Sequence, residues 1–480
     1  MIPIPLSEIA ALLDSTSSDS AQISDVPVTG VKADNRLVSD GDLFVAIAGE
    51  RVNGNDFAAK ALEAGASGVL SDDPARALAS GASAERVIGV PDVQLALGTL
   101  AREVLARARE IGNPALRVLA ITGSMGKTTT KDLLAAILAQ RVPLVATVGS
   151  LNNEIGLPMT VLGVDDSTAT MVLEMGADHI GNIEYLTSIA PPDVAIVLAV
   201  ARAHVGEFGG IENVAKAKTE LVLGAREGAP VVLNGDDVRV VAMSEFAKGP
   251  VLYFSTRGRV LEAGLEADVY ATDISLDDAE RASFVLHVPG GEAHVSLRLV
   301  GEHHVHNALA AAAGAWALDV PLTRIAHALS TAEPASAHRM AVHEIDGITY
   351  IDDSYNANPD SMRAGLVALS HLARGRRSIA VLGQMLELGD SAPAEHAGIG
   401  SFVAEQGIDE LVAVGDGLET LVAAAKAGGV AVTEIEQSKE TSAYLHSHLR
   451  DGDVVLFKGS HGSNVWAVAD AMIEGEEATH

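Results

Sequence analysis

The sequence contains no cysteine. Disulfides, thiol catalysis and cysteine-ligated zinc are therefore excluded, and the commonest staple of small secreted domains is missing. Aromatic residues are scarce, at 3% with two tryptophans, so any core has to be aliphatic. Basic residues are also few: 33 Lys and Arg stand against 64 Asp and Glu, a formal charge of −31. Such a chain lacks the basic stripe that nucleic acid requires and the polybasic segment that holds a protein to anionic lipid. An anionic small ligand stays open, because it needs only a local cationic site. Long apolar runs are missing as well. The uncharged stretch 303–318 carries three histidines and an asparagine, short of the roughly 18 apolar residues a membrane span needs. The N-terminal MIPIPLSEIAALLDS has no cationic region and carries Glu8 inside its apolar part, so no signal peptide is expected. The expectation is a cytoplasmic monomer without membrane insertion.

What is present points to α/β architecture. Hydrophobic residues make up 48% of the 480 positions, too many for global disorder. At this length roughly three domains are expected, since single cores stop growing near 250–300 residues. Short β-branched runs alternate with longer Ala/Leu helices. The runs 118–122, 171–173, 194–200 and 231–233 suit strands buried on both faces of a parallel sheet. Segments 128–140 and 306–318 read as helices. A charged helix over 101–111 ends at Gly112-Asn113-Pro114, a first boundary. The small-residue stretch 330–338 supplies a second, and strands at 348–352, 378–382 and 454–458 start a new alternation beyond it.

The strongest local signal is VLAITGSMGKTTTK, residues 118–131. An apolar strand runs into a glycine loop that opens a helix. Gly123 and Gly126 let backbone amides approach phosphate oxygens, and the helix N-terminus adds unpaired N–H groups. Lys127 supplies a point charge for the phosphates, and Thr128 a hydroxyl for Mg²⁺. Two residues separate the glycines, where the usual phosphate loop has four, yet the strand–loop–helix context is intact. Glu174 ends the run 171–173, at the edge where open α/β sheets bind ligands; as an oxygen donor it suits Mg²⁺. His204 lies just past 194–200 and reads as either a metal ligand or a structural histidine. Lys216 and Lys218 are two apart on a helix and point to different faces; spacing alone makes both surface lysines.

Combined, Thr122-Gly-Ser-Met-Gly-Lys-Thr-Thr-Thr-Lys131, Asn152-Asn153-Glu-Ile-Gly156-Leu-Pro158, Glu174, Ala203-His204 and Ala217-Lys218 resemble the Mur ligases. These are ATP-dependent amino-acid and peptide ligases of bacterial cell-wall precursor synthesis. The resemblance covers essentially the whole chain. Asp34-Asn35-Arg36 and Gly41-Asp-Leu-Phe44 resemble the family's uridine-nucleotide domain, and Gly301-Glu-His303-His-Val-His-Asn307 its segment beside adenine. Arg339, Asp352-Asp353-Ser-Tyr355-Asn356-Ala-Asn358-Pro-Asp-Ser361, Leu382-Gly-Gln-Met385-Leu-Glu387, His396 and Lys458-Gly-Ser460 follow in the family's order. The run from Tyr355 to Ser361 resembles members that accept D-alanyl-D-alanine; the Asp-Asn-Pro-Arg signature of the diaminopimelate-adding member is missing.

This resemblance implies three α/β domains: 1–112 for UDP-MurNAc-tripeptide, 113–331 for ATP on a mostly parallel sheet, and a Rossmann-like 332–480 for D-Ala-D-Ala. It implies joining of these substrates through an acyl phosphate. Gly123, Ser124, Met125, Gly126, Lys127, Thr128 and Thr129 would cradle ATP. His303 and Asn307 would sit beside the adenine, and Asp353 near the ribose. Thr128, Glu174, His204 and a carbamylated Lys218 would hold two Mg²⁺ ions. Arg339 and Lys458 would reach the phosphates once the domains close. Asp34, Asn35, Arg36, Phe44, Asn152 and Asn153 would bind the uridine-nucleotide substrate, and Tyr355, Asn356 and Asn358 the dipeptide. The chain departs from the family pattern at Asn35 (usually Ser), Ala199 (usually Asn), His304 (usually Asn) and His461 (commonly Arg). Competing readings are a folylpolyglutamate-type ligase, a phosphate-loop NTPase acting as a switch, and a non-catalytic paralogue.

Overall fold

The computed structural model describes residues 1–15, 23–49, 52–139, 142–201, 208–262 and 264–475. Three substantial sheets follow one another along the chain. The first has four parallel strands, Gly30–Lys32, Asp42–Ala46, Gly68–Ser71 and Val87–Gly89, in that order. A two-stranded ribbon, Ile4–Pro5 with Pro27–Val28, precedes it. The third sheet has six strands in the order Ala341–Ile345, Ile348–Asp352, Val454–Lys458, Ser378–Gly383, Glu410–Val414 and Ala431–Ile435. Its first strand pairs antiparallel and the other five are parallel.

The middle sheet is the largest, with nine strands. Six are parallel neighbours: Val251–Ser255, Val231–Asn234, Val194–Val197, Arg117–Thr122, Thr170–Glu174 and Leu144–Ala146. The chain leaves Arg117–Thr122 for the outermost strand, returns inward to Thr170–Glu174, then crosses to Val194–Val197 on the other side. That topological switch opens a crevice beside the first strand, and the glycine loop leaves the sheet there.

Beyond Val251–Ser255 the sheet gains Val269–Leu276, which pairs parallel to it, and then two antiparallel strands, Arg281–Val288 and Gly291–Val300. The sequence reading passed over these three strands. They alternate buried and exposed positions, as in Ala282, Phe284, Leu286 and Val288, which is the pattern of a sheet with one wetted face. The expected strand 194–200 stops at Val197, because 198–201 peels off toward the glycine loop. The expected helix 101–111 begins earlier, as Val93–Arg107, and closes in a π-helical turn, Ala108–Gly112.

Both faces of the middle sheet are covered. On one lie helices Lys127–Ala139, His304–Trp316 and Leu322–Thr331. Eleven of the 13 residues of His304–Trp316 are buried, most of them alanine. Small side chains let the helix sit close on the sheet: a Cβ at Gly314 would lie 2.7 Å from the Ile196 side chain. On the other face, helices Val93–Arg107, Asn182–Ile189 and Ile211–Leu223 share one apolar cluster that runs from Ile4 to Met243. The first and middle sheets are therefore joined by continuous aliphatic packing. The third sheet has its own two clusters, one on each face. No helix among the described residues is long and apolar enough to cross a membrane.

Candidate active site

Loops after the strand ends of the middle and third sheets line one cleft of about 670 Å³. The glycine loop forms its floor. Gly126 has φ +79°, a left-handed conformation, and a Cβ there would lie 2.3 Å from Oδ1 of Asn307. Only glycine meets both conditions. Ser124 fastens the loop to 199–201: its N–H donates to the Ala199 carbonyl (2.9 Å), and its Oγ accepts from the Ala201 N–H (3.0 Å). Ala199 thus contributes its backbone here, whatever its side chain. Lys127, the first residue of the helix, turns back and donates to the Gly123 carbonyl at 2.9 Å. Burial and the Arg339 charge push its ammonium below the usual lysine range, opposed by Glu174.

Beside it lies a cluster of oxygen atoms. Glu174 ends its strand almost fully buried. Its Oε2 accepts from Thr128 Oγ1 (2.9 Å) and its Oε1 from Asn152 Nδ2 (2.7 Å). A carboxylate and a hydroxyl this close, at the mouth of the glycine loop, match the oxygen donors a hard divalent cation takes from protein. His204 lies outside the described residues, so its expected place in this cluster goes undescribed. Lys218, expected from spacing alone to be a surface lysine, is buried on the cleft wall. Burial, reinforced by the charge of Lys127, lowers its amine to about 7. The reason is topological: helix Ile211–Leu223 packs Val214, Ala217 and Leu221 onto the sheet and carries Lys218 in with them.

The opposite wall is polar. His303 and Asn307 both line the cleft, and Asp353 and Lys458 act electrostatically on the His303 ring. Asn307 accepts from Thr130 Oγ1 at 3.5 Å and donates toward His304 Nδ1 at 3.2 Å. The sequence reading missed Asn234, Asp236, Thr256 and Arg257, which extend this wall. Asp236 is clamped by Ser255 Oγ (2.6 Å) and the Thr256 N–H (2.8 Å). An Asn-Gly-Asp turn straight after the buried run 231–233 was the available signal.

From the third sheet come Arg339, Asp353, Tyr355, Asn356, Asn358 and Lys458. Arg339 already reaches the glycine-loop helix: its Nη2 donates to Thr128 Oγ1 (3.1 Å) and Ser150 Oγ (3.2 Å). Lys458 lines the cleft but contacts no residue of the glycine loop among its hydrogen bonds. It is fully buried, and its ammonium is spent on Asp353 Oδ2 (2.5 Å), the Asp353 carbonyl (3.3 Å) and the Asn356 carbonyl (3.1 Å). With three donors engaged, it shapes the 353–356 turn. Asn358 lines the cleft and also has a structural task. Its Oδ1 caps helix Pro359–Leu372 by accepting from the Ser361 N–H, and Ser361 Oγ returns the bond. Asn152 and Asn153 line the cleft beside Glu174.

The remaining expected residues lie elsewhere. Phe44 is 1% exposed, in the core of the first sheet with Ala46, Ala58 and Val69. It is a packing residue, a correction that follows from a strand buried along its whole length. Asp34, Asn35 and Arg36 do not line the cleft. They follow strand Gly30–Lys32, where Asp34 accepts from the Arg36 backbone and guanidinium. That double bond holds the Asp34 carboxyl at about 2.

Known proteins match this arrangement along the chain. Family models match for the Mur ligase family catalytic domain at 27–104, the Mur ligase middle domain at 121–315, and the Mur ligase glutamate ligase domain at 338–461. A UDP-N-acetylmuramoyl-tripeptide–D-alanyl-D-alanine ligase of Mycobacterium tuberculosis is 39% identical, over 98% of each chain. The crystal structure of MurF from Acinetobacter baumannii superposes with a TM-score of 0.84 at 32% identity, covering 98% of this chain and 99% of that one. MurF ligase from Thermotoga maritima, in complex with ADP, gives 0.73 at 26% identity, over 94% and 99%. With the glycine loop, the buried Glu174 and the arginine reaching across from the third sheet, these end-to-end likenesses establish that the chain belongs to the Mur ligase family.

Proposed function

We propose that this chain is the ATP-dependent ligase that joins D-alanyl-D-alanine to UDP-N-acetylmuramoyl-tripeptide, giving the pentapeptide precursor of peptidoglycan. The observation that carries this reading is the convergence, in one cleft, of the phosphate loop and Arg339, in a chain matched end to end by ligases of that name. Segment 1–112 would hold the uridine nucleotide, with Asp34, Asn35 and Arg36 at the strand ends of its sheet. Segment 113–331 would hold ATP, and 332–480 the dipeptide, with Asn356 on its wall. The tripeptide carboxylate attacks the γ-phosphorus, the bond to the ADP oxygen breaks, and an acyl phosphate forms. The dipeptide amine then attacks the acyl carbon, loses a proton, and expels phosphate. Lys127 and Arg339 neutralise the charge on the phosphoryl oxygens, so catalysis is mainly positioning and electrostatics. Closure of the third sheet's loops over those of the middle sheet would exclude water from the acyl phosphate.

Magnesium would be held by Thr128 and Glu174, with His204 as a further candidate, and would supply charge neutralisation on the phosphates. A lysine amine lowered to about 7 is largely free base at cellular pH. It can add CO₂ and release a proton, becoming a carbamate that replaces a misplaced cation with oxygen donors. This chemistry supports carbamylated Lys218 as a second magnesium ligand. A cytoplasmic monomer fits a nucleotide-consuming enzyme whose cleft, among the described residues, is lined from within one chain.

The test is phosphate release from ATP and Mg²⁺ with UDP-MurNAc-tripeptide, with and without D-Ala-D-Ala. Release that requires both substrates is expected. Release without either would instead indicate a switch-like NTPase. Absence of release with the dipeptide, together with release when glutamate and a folate are supplied, would replace this reading with the folylpolyglutamate one.

A further inference from the structure

We propose that Tyr355 is a positioning residue that holds Arg339 over the phosphate loop, and that it acts on phosphoryl transfer and not on dipeptide recognition. The Arg339 guanidinium lies 4.1 Å from the centre of the Tyr355 ring. A cation at that distance is attracted to the ring's negative face. The face that Arg339 occupies is closed to a second cation, the α-ammonium of D-Ala-D-Ala included.

The ring is itself backed by a stack. Tyr355 meets His461 at 5.7 Å, and His461 lies parallel to Trp466 at 5.6 Å with 10° between their planes. Trp466 leads back to His338 at 6.5 Å, the residue before Arg339. The two ends of this circuit are tied by backbone, since the Tyr355 N–H donates to the His338 carbonyl at 3.2 Å. His338 is also pinned by its side chain, with Nδ1 2.7 Å from Asp352 and Nε2 3.7 Å from Asp470.

The backbone around Arg339 makes such support necessary. His338 and Met340 have φ of +59° and +53°. Left-handed non-glycine residues on both sides of one arginine persist only where the surroundings hold them. Here Met340 is buried, His338 is pinned and Tyr355 grips the guanidinium. The result is a long side chain fixed across the gap between two sheets, with Nη2 on Thr128 and Ser150. A flexible arginine would lose that geometry, and misplacement of about 1 Å is costly in catalysis. The tyrosine belongs to the run read as marking the dipeptide site, so the two roles predict different kinetics.

The experiment is steady-state phosphate release with Tyr355→Leu, Tyr355→Phe and His461→Ala, varying ATP and D-Ala-D-Ala separately. For Tyr355→Leu, kcat is expected to fall about 10- to 100-fold with KM for D-Ala-D-Ala within about twofold of wild type. Tyr355→Phe keeps the ring and is expected to restore most of kcat. A large rise in KM for D-Ala-D-Ala at unchanged kcat would overturn the proposal, as would a phenylalanine variant as impaired as the leucine one. His461→Ala, at the exposed member of the stack behind Tyr355, is the check if Tyr355→Leu fails to fold. A reduced kcat at unchanged dipeptide KM supports the clamp, and an unchanged kcat overturns it. The proposal rests on the ligase reading. A wild-type protein that joins nothing removes that reading first, whereas wild-type turnover with the wrong split removes only this role of Tyr355.

Discussion

Lys218 makes the sharpest test of how the cleft is built. Its amine sits at about 7 in the folded protein against an ordinary 10.5, chiefly because it is buried and also because it faces Lys127. In the unfolded chain the lysine keeps its proton up to its ordinary value. Between 7 and 10.5 the unfolded state therefore binds more protons than the folded state, and stability rises with pH across that window. Below 7 both states are protonated and the full cost of the buried charge is felt. Each pH unit is worth about 1.4 kcal/mol, so that cost is about 5 kcal/mol. Lys218→Met removes the charge and keeps most of the volume. In carbonate-free buffer its advantage over wild type should shrink by about 2 kcal/mol between pH 6.5 and 8.5, because roughly two-fifths of the linkage is relieved by then. For a unit of this size that is roughly 4–8 °C in Tm. Comparing the two pH values cancels the packing difference between lysine and methionine, which does not titrate. The assay is thermal unfolding of both proteins at both pH values. An advantage that does not change with pH would refute the placement of Lys218 in a dry, cationic wall. Bicarbonate adds a second arm: near neutral pH a carbamate forms preferentially on the folded protein, where the amine is free base, so it should raise the wild-type Tm by mass action and leave Lys218→Met where it was.

Three further outcomes follow from the same geometry. Lys127→Ala should lower kcat/KM at least about 10³-fold, the upper end of what one charged stabiliser contributes, with circular dichroism unchanged; normal turnover would remove the phosphate-loop assignment. Gly126→Ala forces a left-handed alanine against Asn307. It should cost about 1–2 kcal/mol of stability and weaken ADP binding by calorimetry, whereas unaltered affinity would show that this glycine is not needed by the loop. Asn358→Ala should cost about 1 kcal/mol through its lost helix cap and leave KM for D-Ala-D-Ala nearly unchanged; a large KM effect would return Asn358 to the dipeptide site.

Some of this was legible in the sequence because it is local. The strand–loop–helix unit over 118–131 needs only an apolar run, two glycines and a lysine in order, and the structure has strand Arg117–Thr122 and helix Lys127–Ala139 there. Glu174 at its strand end followed from the same reasoning. The half-buried strands Val269–Leu276, Arg281–Val288 and Gly291–Val300 were harder, since alternating burial leaves no continuous apolar run to notice. Phe44 shows the opposite error. A residue inside a recognisable motif was read as ligand-facing when its strand is buried throughout.

By itself, the sequence determined the aliphatic, disulfide-free α/β character of the chain, the glycine loop between strand and helix, and the order of its motifs. These depend on neighbours within a few residues, where spacing and side-chain chemistry act directly. Tertiary structure alone decided which cations are free. Lys458 is consumed by Asp353, 105 residues away, while Arg339 reaches Thr128 across 211. Lys218 became a buried, weakly basic amine only because its helix packs against the sheet. The physical reason is that desolvation and charge pairing depend on distance in space, and residues far apart in the chain are brought together only when the core forms.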